Sequence, residues 1–178
     1  FLTGHDERSP IRISNQDWST VASRLDAIGL VSRELSLVSE PYIDDTIDLV
    51  VIAAPRRRYF PGEVASLDSY LNRGGNLLWL SEGSSNSASG PGLQLLADTL
   101  GVDTLPGVVI DTNSQALAAD SPDFVLLDRF PTHPVTQTLV SPVLLPQAAA
   151  LAVTPLAGQT TLPLLQTPTS SWTETGTL

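Results

Sequence analysis

The chain has 178 residues, of which 42% are hydrophobic and 16% are charged, and its net charge is −10. All nine basic residues are arginines, and neither cysteine nor methionine occurs. This composition excludes disulfides, thiolate catalysis and thiolate metal sites, and it makes nucleic acid an improbable partner. No uninterrupted apolar run reaches the roughly 18 residues of a membrane span. We expect a folded, acidic domain, cut or processed from a longer protein because an initiator methionine is missing.

Apolar residues recur alternately with the helical and the strand period along the first two thirds of the chain. The run Leu49–Ala54 is continuous, which is typical of a parallel strand buried on both faces. Pro61 suits a first helical turn, and Gly29 suits the position just after a helix. The predicted elements are a strand at 1–3, a helix beginning at Ser14 and ending before Gly29, strands at 30–38 and 49–54, a helix from Pro61 to the Gly74–Gly75 pair, a strand at 76–81, a helix at 93–100 and a strand at 107–111.

The patterns beyond Asp111 are weaker. We predict strands at 124–127, 143–145 and 162–165, the last two as antiparallel additions at a sheet edge, and a short helix at 133–139. The alternation of strands and helices predicts an α/β sandwich with a mostly parallel sheet. Between residues 131 and 178 the only charged side chain is that of Glu174. Because this tail holds apolar strand-like runs, we expect it to pack on the sheet or on another part of a longer protein.

Polar residues follow three of the predicted strands, in the loops 3–8, 55–59 and 82–86. In open parallel sheets, ligands bind at the carboxyl ends of the strands. If the strand order is flavodoxin-like, the three loops form one rim. The ligand-binding candidates on this rim are His5, Asp6, Glu7, Arg8, Arg56, Arg57, Glu82, Ser84 and Ser85.

The run Arg56–Arg58 is the only basic cluster of the chain. It is suited to a phosphate, a carboxylate or an acidic partner. Because three successive side chains of a loop cannot all point the same way, one or two of them would contact a given ligand. The alternative is local neutralisation of the acids Glu7, Glu63 and Glu82.

A serine hydrolase is the competing hypothesis, with His5 as the general base. The loop after the strand at 76–81 lacks the G-x-S-x-G elbow, which counts against it. A metal at 5–7 is disfavoured because consecutive residues rarely converge on one ion. No nucleotide-binding glycine motif occurs, so no cofactor is expected. His5 could instead simply fix a turn. The hydrolase candidates are Ser81, Ser84 or Ser85 as nucleophile, with Asp6 or Glu82 as the orienting group.

The opening FLTGHDER, Phe1–Arg8, resembles the FLTGHGER opening of the extracytoplasmic domain of gliding-motility-type ABC-transporter auxiliary proteins. Further matches follow in the order of that family and span nearly the whole chain. They are DLVVIAAP at 48–55, PGEVASLDSYLNRGGNLLWL at 61–80, LQLLADTLG at 93–101, VID at 109–111, HPVT at 133–136, LLQT at 164–167 and SWTE at 171–174. The family motif has a glycine where this chain has Asp6. If that glycine has a positive φ, Asp6 must adopt one as well.

The resemblance implies a glutamine-amidotransferase-like fold, so the full expectation is an α/β, flavodoxin-like three-layer sandwich with a mostly parallel sheet and C-terminal edge strands. We expect an α/β domain at 1–128 and an extension at 129–178 packing on it. The amidotransferase relatives use a cysteine after the strand matching Asn76–Ser81, and this chain has none.

The family is accessory to ABC-2-type exporters. The resemblance therefore implies a non-catalytic domain on the periplasmic, extracytoplasmic face of the bacterial inner membrane, attached through flanking membrane segments. The implied partners are the permease and ATPase subunits of the transporter. At the rim we expect a partner protein or a carbohydrate-like ligand, because the strand-end loops cluster there and the motifs match in order. Nucleic acid is not expected.

Overall fold

The structure is a computed structural model that describes residues 1–82, 92–111 and 122–176. Contacts divide these residues into two compact units, the first holding 1–81 and 92–99 and the second holding 82, 100–111 and 122–176. The predicted division into 1–128 and 129–178 stays a prediction. The helices are α1 (Ser19–Ala27), α2 (Pro61–Asn72) and α3 (Gln94–Leu100). The strands are β1 (Leu49–Ala53), β2 (Asn76–Leu80), β3 (Val102–Thr104), β4 (Val108–Asp111), β5 (Phe124–Leu127), β6 (Val143–Pro146), β7 (Leu151–Val153) and β8 (Ser171–Glu174).

Strand β1 is the centre of the first unit, and every residue from Val50 to Ala53 is buried. It pairs in parallel with β2. On its other side, the backbone N–H of Leu2 donates to the carbonyl of Val51 at 2.9 Å. A parallel bridge then joins Leu2 to Leu35. The continuous apolar run therefore forms the buried strand that it predicts, whereas the predicted strand at 30–38 is reduced to a single bridge.

Helix α2 covers the first unit with the apolar stripe predicted from its sequence. Val64, Leu67 and Tyr70 are all buried. The helix begins at Pro61, as expected, and ends before Gly74, which has a φ of 92°. The Tyr70 ring fills the turn that follows, where a Cβ on Gly75 would lie 2.3 Å from a ring carbon. The turn between α2 and β2 thus requires a residue without a side chain.

Helix α1 starts later than the sequence indicates, at Ser19 rather than near Ser14. The Ser14 hydroxyl donates to the Asp17 carboxylate at 2.7 Å, so it shapes a turn before the helix instead of capping it. The helix stops as predicted, because Gly29 has a φ of 85° two residues after Ala27. No residue of α1 is buried.

The second unit is built from three antiparallel ladders, β3 with β7, β4 with β8, and β5 with β6. Its apolar core contains Val109, Val125 and Leu127. The predicted helix at 133–139 consists of turns, and the segment 162–165 is not a strand. Sequence analysis missed β3, β7 and β8. In the part of the chain that the structure describes, no helix is both long and apolar enough to cross a membrane.

The expected flavodoxin-like sandwich with a mostly parallel sheet is wrong. In the described residues the only regular parallel ladder is that of β1 and β2, and the other three ladders are antiparallel. Parallel neighbours need a crossover of a dozen residues or more, usually a helix. No helix is found in the described residues after Leu100, so the later strands pair antiparallel.

Candidate functional site

The loops 3–8 and 55–58 meet in the first unit, and we call the surface that they form the loop surface. The backbone N–H groups of Arg56 and Arg57 both donate to the carbonyl of His5, at 2.8 and 2.9 Å. The guanidinium of Arg57 pairs with Asp6, with 2.6 Å between Nε and Oδ2. The two loops meet because each follows a strand-like segment, and these two segments run side by side. The strand-end rule thus correctly brings four of the predicted candidates together.

Arg8, Glu82, Ser84 and Ser85 are the candidates that these contacts do not include. Arg8 stands at the end of the first loop, and its backbone N–H donates to the carbonyl of Ala53 at 2.9 Å. Glu82 belongs to the second unit. Ser84 and Ser85 lie outside the described residues.

Asp6 has a φ of 58°, as the comparison with the glycine of the family motif predicts. Few residues other than glycine adopt this conformation, and aspartate tolerates it better than most. The side chains of His5 and Glu7, on either side of it, are buried, while that of Asp6 is exposed. The loop therefore separates an internal set of polar groups from an external one.

The internal set is a hydrogen-bonded network of four side chains. His5, Glu7, Tyr59 and Glu63 expose only 3%, 5%, 2% and 5% of their surfaces. Nε2 of His5 donates to Oε1 of Glu63 at 2.9 Å, and the Tyr59 hydroxyl donates to Oε1 of Glu7 at 2.5 Å. The other oxygen of each carboxylate accepts a backbone N–H, from Phe60 for Glu63 and from His5 for Glu7.

Ring contacts complete this network. The His5 and Tyr59 rings stack with their centroids 4.1 Å apart. Burial, followed by the hydrogen bond and the charge of Glu7, raises the pKa of Tyr59 well above its usual range. Tyr59 therefore stays a neutral donor to Glu7 at all ordinary pH values.

This geometry gives His5 a structural role. Its carbonyl holds the second loop, its Nε2 is bonded to Glu63, and its ring is covered by Tyr59. A general base has to reach the proton that it removes, and a buried and bonded imidazole cannot do so without a rearrangement. The hypothesis that His5 fixes a turn is confirmed by these contacts, whereas pairing of the arginine cluster with Glu7 and Glu63 is replaced by the bond from Arg57 to Asp6.

A cleft of about 230 Å³ opens beside the loop surface. It is lined by residues 6–8, by Arg56 and by four residues between 12 and 17. Arg12 and Asp17, which both line it, form an ion pair with two hydrogen bonds. Nε of Arg12 donates to Oδ2 of Asp17 at 2.5 Å, and a terminal nitrogen donates to Oδ1 at 2.8 Å. The guanidinium of Arg8 donates to the carbonyl of Gln16. Within the described residues, no group of three or more histidine, aspartate or glutamate side chains is arranged to hold a metal ion.

The part of this cleft that residues 12–17 contribute was not predicted from the sequence. Ser14 and Asp17 were recognisable only as a helix-capping pair. Asp17 instead accepts bonds from Arg12, from the Ser14 hydroxyl and from the backbone N–H of Ser9. These donors, with Arg12 first, lower the pKa of Asp17 well below its usual range. The signal that could have revealed it is the dense alternation of arginine, serine and aspartate directly after the first loop.

Comparison with known proteins shows to which family the chain belongs. The model of an ABC-transport auxiliary family, described as an ABC-type uncharacterized transport system, matches residues 1–177. The chain belongs to this family. It is therefore an auxiliary protein associated with ABC transport, and the expectation of an ABC-transporter auxiliary family is confirmed.

Among solved structures, the chain is similar to one described as the mmIFT52 N-terminal domain. The TM-score is 0.70 with 18% sequence identity, over 96% of this chain and 73% of the other. At this identity the likeness shows a shared fold alone. No curated protein matches the chain.

Replacing Tyr59 with phenylalanine should destabilise the first unit, because Oε1 of Glu7 loses its donor while remaining buried. The expected loss in the free energy of unfolding is about 1–3 kcal/mol, measured by urea denaturation. Tyr42 is exposed, so the matched change Tyr42→Phe should cost no more than about 0.5 kcal/mol. Equal effects of the two changes would contradict the role assigned to Tyr59.

Asp17→Asn should destabilise the protein in a pH-dependent way. Because the folded state lowers the pKa of Asp17, its stabilising effect is complete above the unfolded pKa of about 4 and is lost as the pH falls further. The difference in unfolding free energy between wild type and variant should therefore be larger at pH 7 than at pH 3. Asp26→Asn, at an exposed position of α1, is the control and should leave the free energy of unfolding at pH 7 nearly unchanged. A difference that is the same at both pH values would refute the assignment.

Proposed function

We propose that this chain is a non-catalytic, extracytoplasmic domain of a membrane-anchored auxiliary subunit of an ABC-2-type transporter. The observation that carries the proposal is the family match over residues 1–177. The domain binds a partner protein or a carbohydrate-like ligand at the loop surface. Its partners in the membrane are the permease and ATPase subunits of the transporter.

The non-catalytic role is supported by how the polar groups of the first loop are used. His5 and Glu7 are buried and hydrogen-bonded to Glu63 and Tyr59. The carboxylates of Glu7 and Glu63 accept two hydrogen bonds each, so neither is oriented towards a bound substrate. Such an arrangement holds a loop in place, and it leaves the exposed side chains on that loop to make contacts with other molecules.

The loop surface is suited to binding because its charged side chains point outward from this rigid base. Asp6 and Arg57 are both more than half exposed although they pair with each other. Exposed ion pairs contribute little to stability, usually between 0 and about 1 kcal/mol. Their groups can therefore exchange partners at small cost when a second molecule approaches.

An extracytoplasmic position is supported by the resemblance of FLTGHDER and the later motifs to extracytoplasmic domains. The charge agrees with it as well. A net charge of −10 is repelled by the anionic lipids that are concentrated in the cytoplasmic leaflet.

Cysteine labelling tests the location, since the chain itself has no cysteine. In the membrane-anchored subunit made free of other cysteines, Val31→Cys should react with a membrane-impermeant maleimide in intact spheroplasts, because Val31 is 87% exposed. Leu67 is 0% exposed, and Leu67→Cys should react only after denaturation. Labelling of Val31→Cys that requires lysis of the spheroplasts would contradict the proposal.

Copurification tests the partners. A tagged auxiliary subunit, solubilised from membranes, should retain the permease and ATPase subunits. Arg57→Glu should reduce the amount retained, because it puts a second carboxylate beside Asp6 and reverses the charge of the loop surface. Arg24→Glu makes the same change of charge on exposed helix α1 and should have no effect. Full retention by Arg57→Glu would show that partner subunits bind elsewhere.

A further inference from the structure

The cleft beside the loop surface presents arginines to solvent and keeps its carboxylates occupied. Arg12 is 63% exposed, whereas the Asp17 side chain that holds it is 3% exposed. Glu7 is turned inward to Tyr59 and His5. The chain has a net charge of −10, so a cleft that presents arginines to solvent differs from the acidic character of the chain as a whole.

Three arginines and three carboxylates line the cleft, and one of these carboxylates, Asp6, is paired with Arg57, which is not part of the lining. With Arg57 counted, the arginines exceed the carboxylates by one, and we assign this excess charge to Arg56. Its side chain is exposed, and among the described residues its guanidinium makes no ion pair. Its backbone is fixed, because the N–H donates to the carbonyl of His5 at 2.8 Å. The exposed guanidinium is thus attached to a fixed backbone.

Arg12 is a second exposed arginine that lines the cleft. Asp17 binds its Nε and one terminal nitrogen, and that same nitrogen also donates to the carbonyl of Glu7 at 3.5 Å, so the plane of the guanidinium is fixed. The two N–H groups of the other terminal nitrogen are the ones offered to a ligand. Asp17 is itself held by Ser9 and Ser14. Binding to groups that are already ordered costs less conformational entropy than binding to mobile ones.

We propose that this cleft binds an oxyanion group, the carboxylate or phosphate of a small acidic ligand, with Arg56 and Arg12 as its principal donors. The inference rests on the proposed ligand-binding function and specifies the ligand class. Guanidinium groups match the geometry of both oxyanions and bind them through paired hydrogen bonds. A neutral sugar would leave the surplus charge of Arg56 without a counter-charge.

The dimensions of the site limit the ligand. A volume of about 230 Å³ is below the range of roughly 300–1,000 Å³ that is usual for a complete small-molecule site. The cleft therefore takes one end group. A second cleft of about 460 Å³ shares Asp6, Glu7 and Arg12 with it and gives room for the rest of the molecule. Glu34 lines that second cleft, so the remainder of the ligand is expected to be neutral there.

A nuclear magnetic resonance titration of the isotope-labelled 178-residue chain tests the inference, with the Arg Nε–H signals as the readout. Sodium phosphate and sodium glucuronate are the two probes, and sodium chloride keeps the ionic strength constant. At least one probe should produce saturable shifts of the Arg12 and Arg56 signals. Phosphate alone, glucuronate alone or both identify which oxyanion the cleft accepts.

Arg56→Gln should weaken this binding about tenfold, since it removes one charge-assisted contact. Arg24→Gln, an exposed arginine outside the cleft, should leave binding unchanged. The inference is overturned if neither probe gives saturable shifts, or if Arg56→Gln binds as tightly as wild type with its circular dichroism unchanged. Because copurification with permease and ATPase does not depend on the probes, failure here with intact copurification would reject the ligand class but not the proposed function.

Discussion

The burial of two carboxylates, Glu7 and Glu63, is the constraint on which the first unit depends. An ionised carboxylate that leaves water without partners loses several kcal/mol of solvation. Each of the four oxygens of the two carboxylates therefore accepts a hydrogen bond. The donors are Nε2 of His5, the Tyr59 hydroxyl and the backbone N–H groups of His5 and Phe60. This requirement ties the first loop to the loop after β1 and to the start of α2, which follow one another more than 50 residues further along the chain.

The same constraint shapes the exposed surface. His5 and Glu7 are both buried, and Asp6 between them, which has a φ of 58°, is exposed. Asp6 pairs with Arg57. The carbonyl of His5 in turn fixes the backbone of Arg56 and Arg57. The backbone of Arg56 and Arg57 is thus fixed by His5, a member of the buried network, although the arginine side chains are not part of that network.

Local sequence patterns predict the parts of this structure that depend on local interactions. Strand β1 and helix α2 follow from a continuous apolar run and from an apolar stripe after Pro61. The ladders of the second unit do not follow, because antiparallel pairing of β4 with β8 joins residues about sixty positions apart. A four-residue strand has no periodicity long enough to reveal its partner.

The candidate site divides in the same way. His5, Asp6, Arg56 and Arg57 could be brought together from sequence by the rule that loops at strand ends meet. Glu63 and Tyr59 could not be assigned as partners, because they lie 58 and 52 residues from the groups they bind. Sequence alone also treated His5 and Glu7 as exposed candidates. The local sequence pattern does not show that these two side chains are the buried ones of the loop.

This inward and outward division explains why one loop can be both structural and functional. A binding surface needs side chains that exchange partners at low cost, whereas precise placement needs a backbone that does not move. Buried polar networks are costly to disrupt, since each lost bond leaves an unsatisfied group behind. In this chain the buried network supplies the rigidity and the exposed arginines supply the contacts. The proposed binding of a ligand at this surface requires both properties.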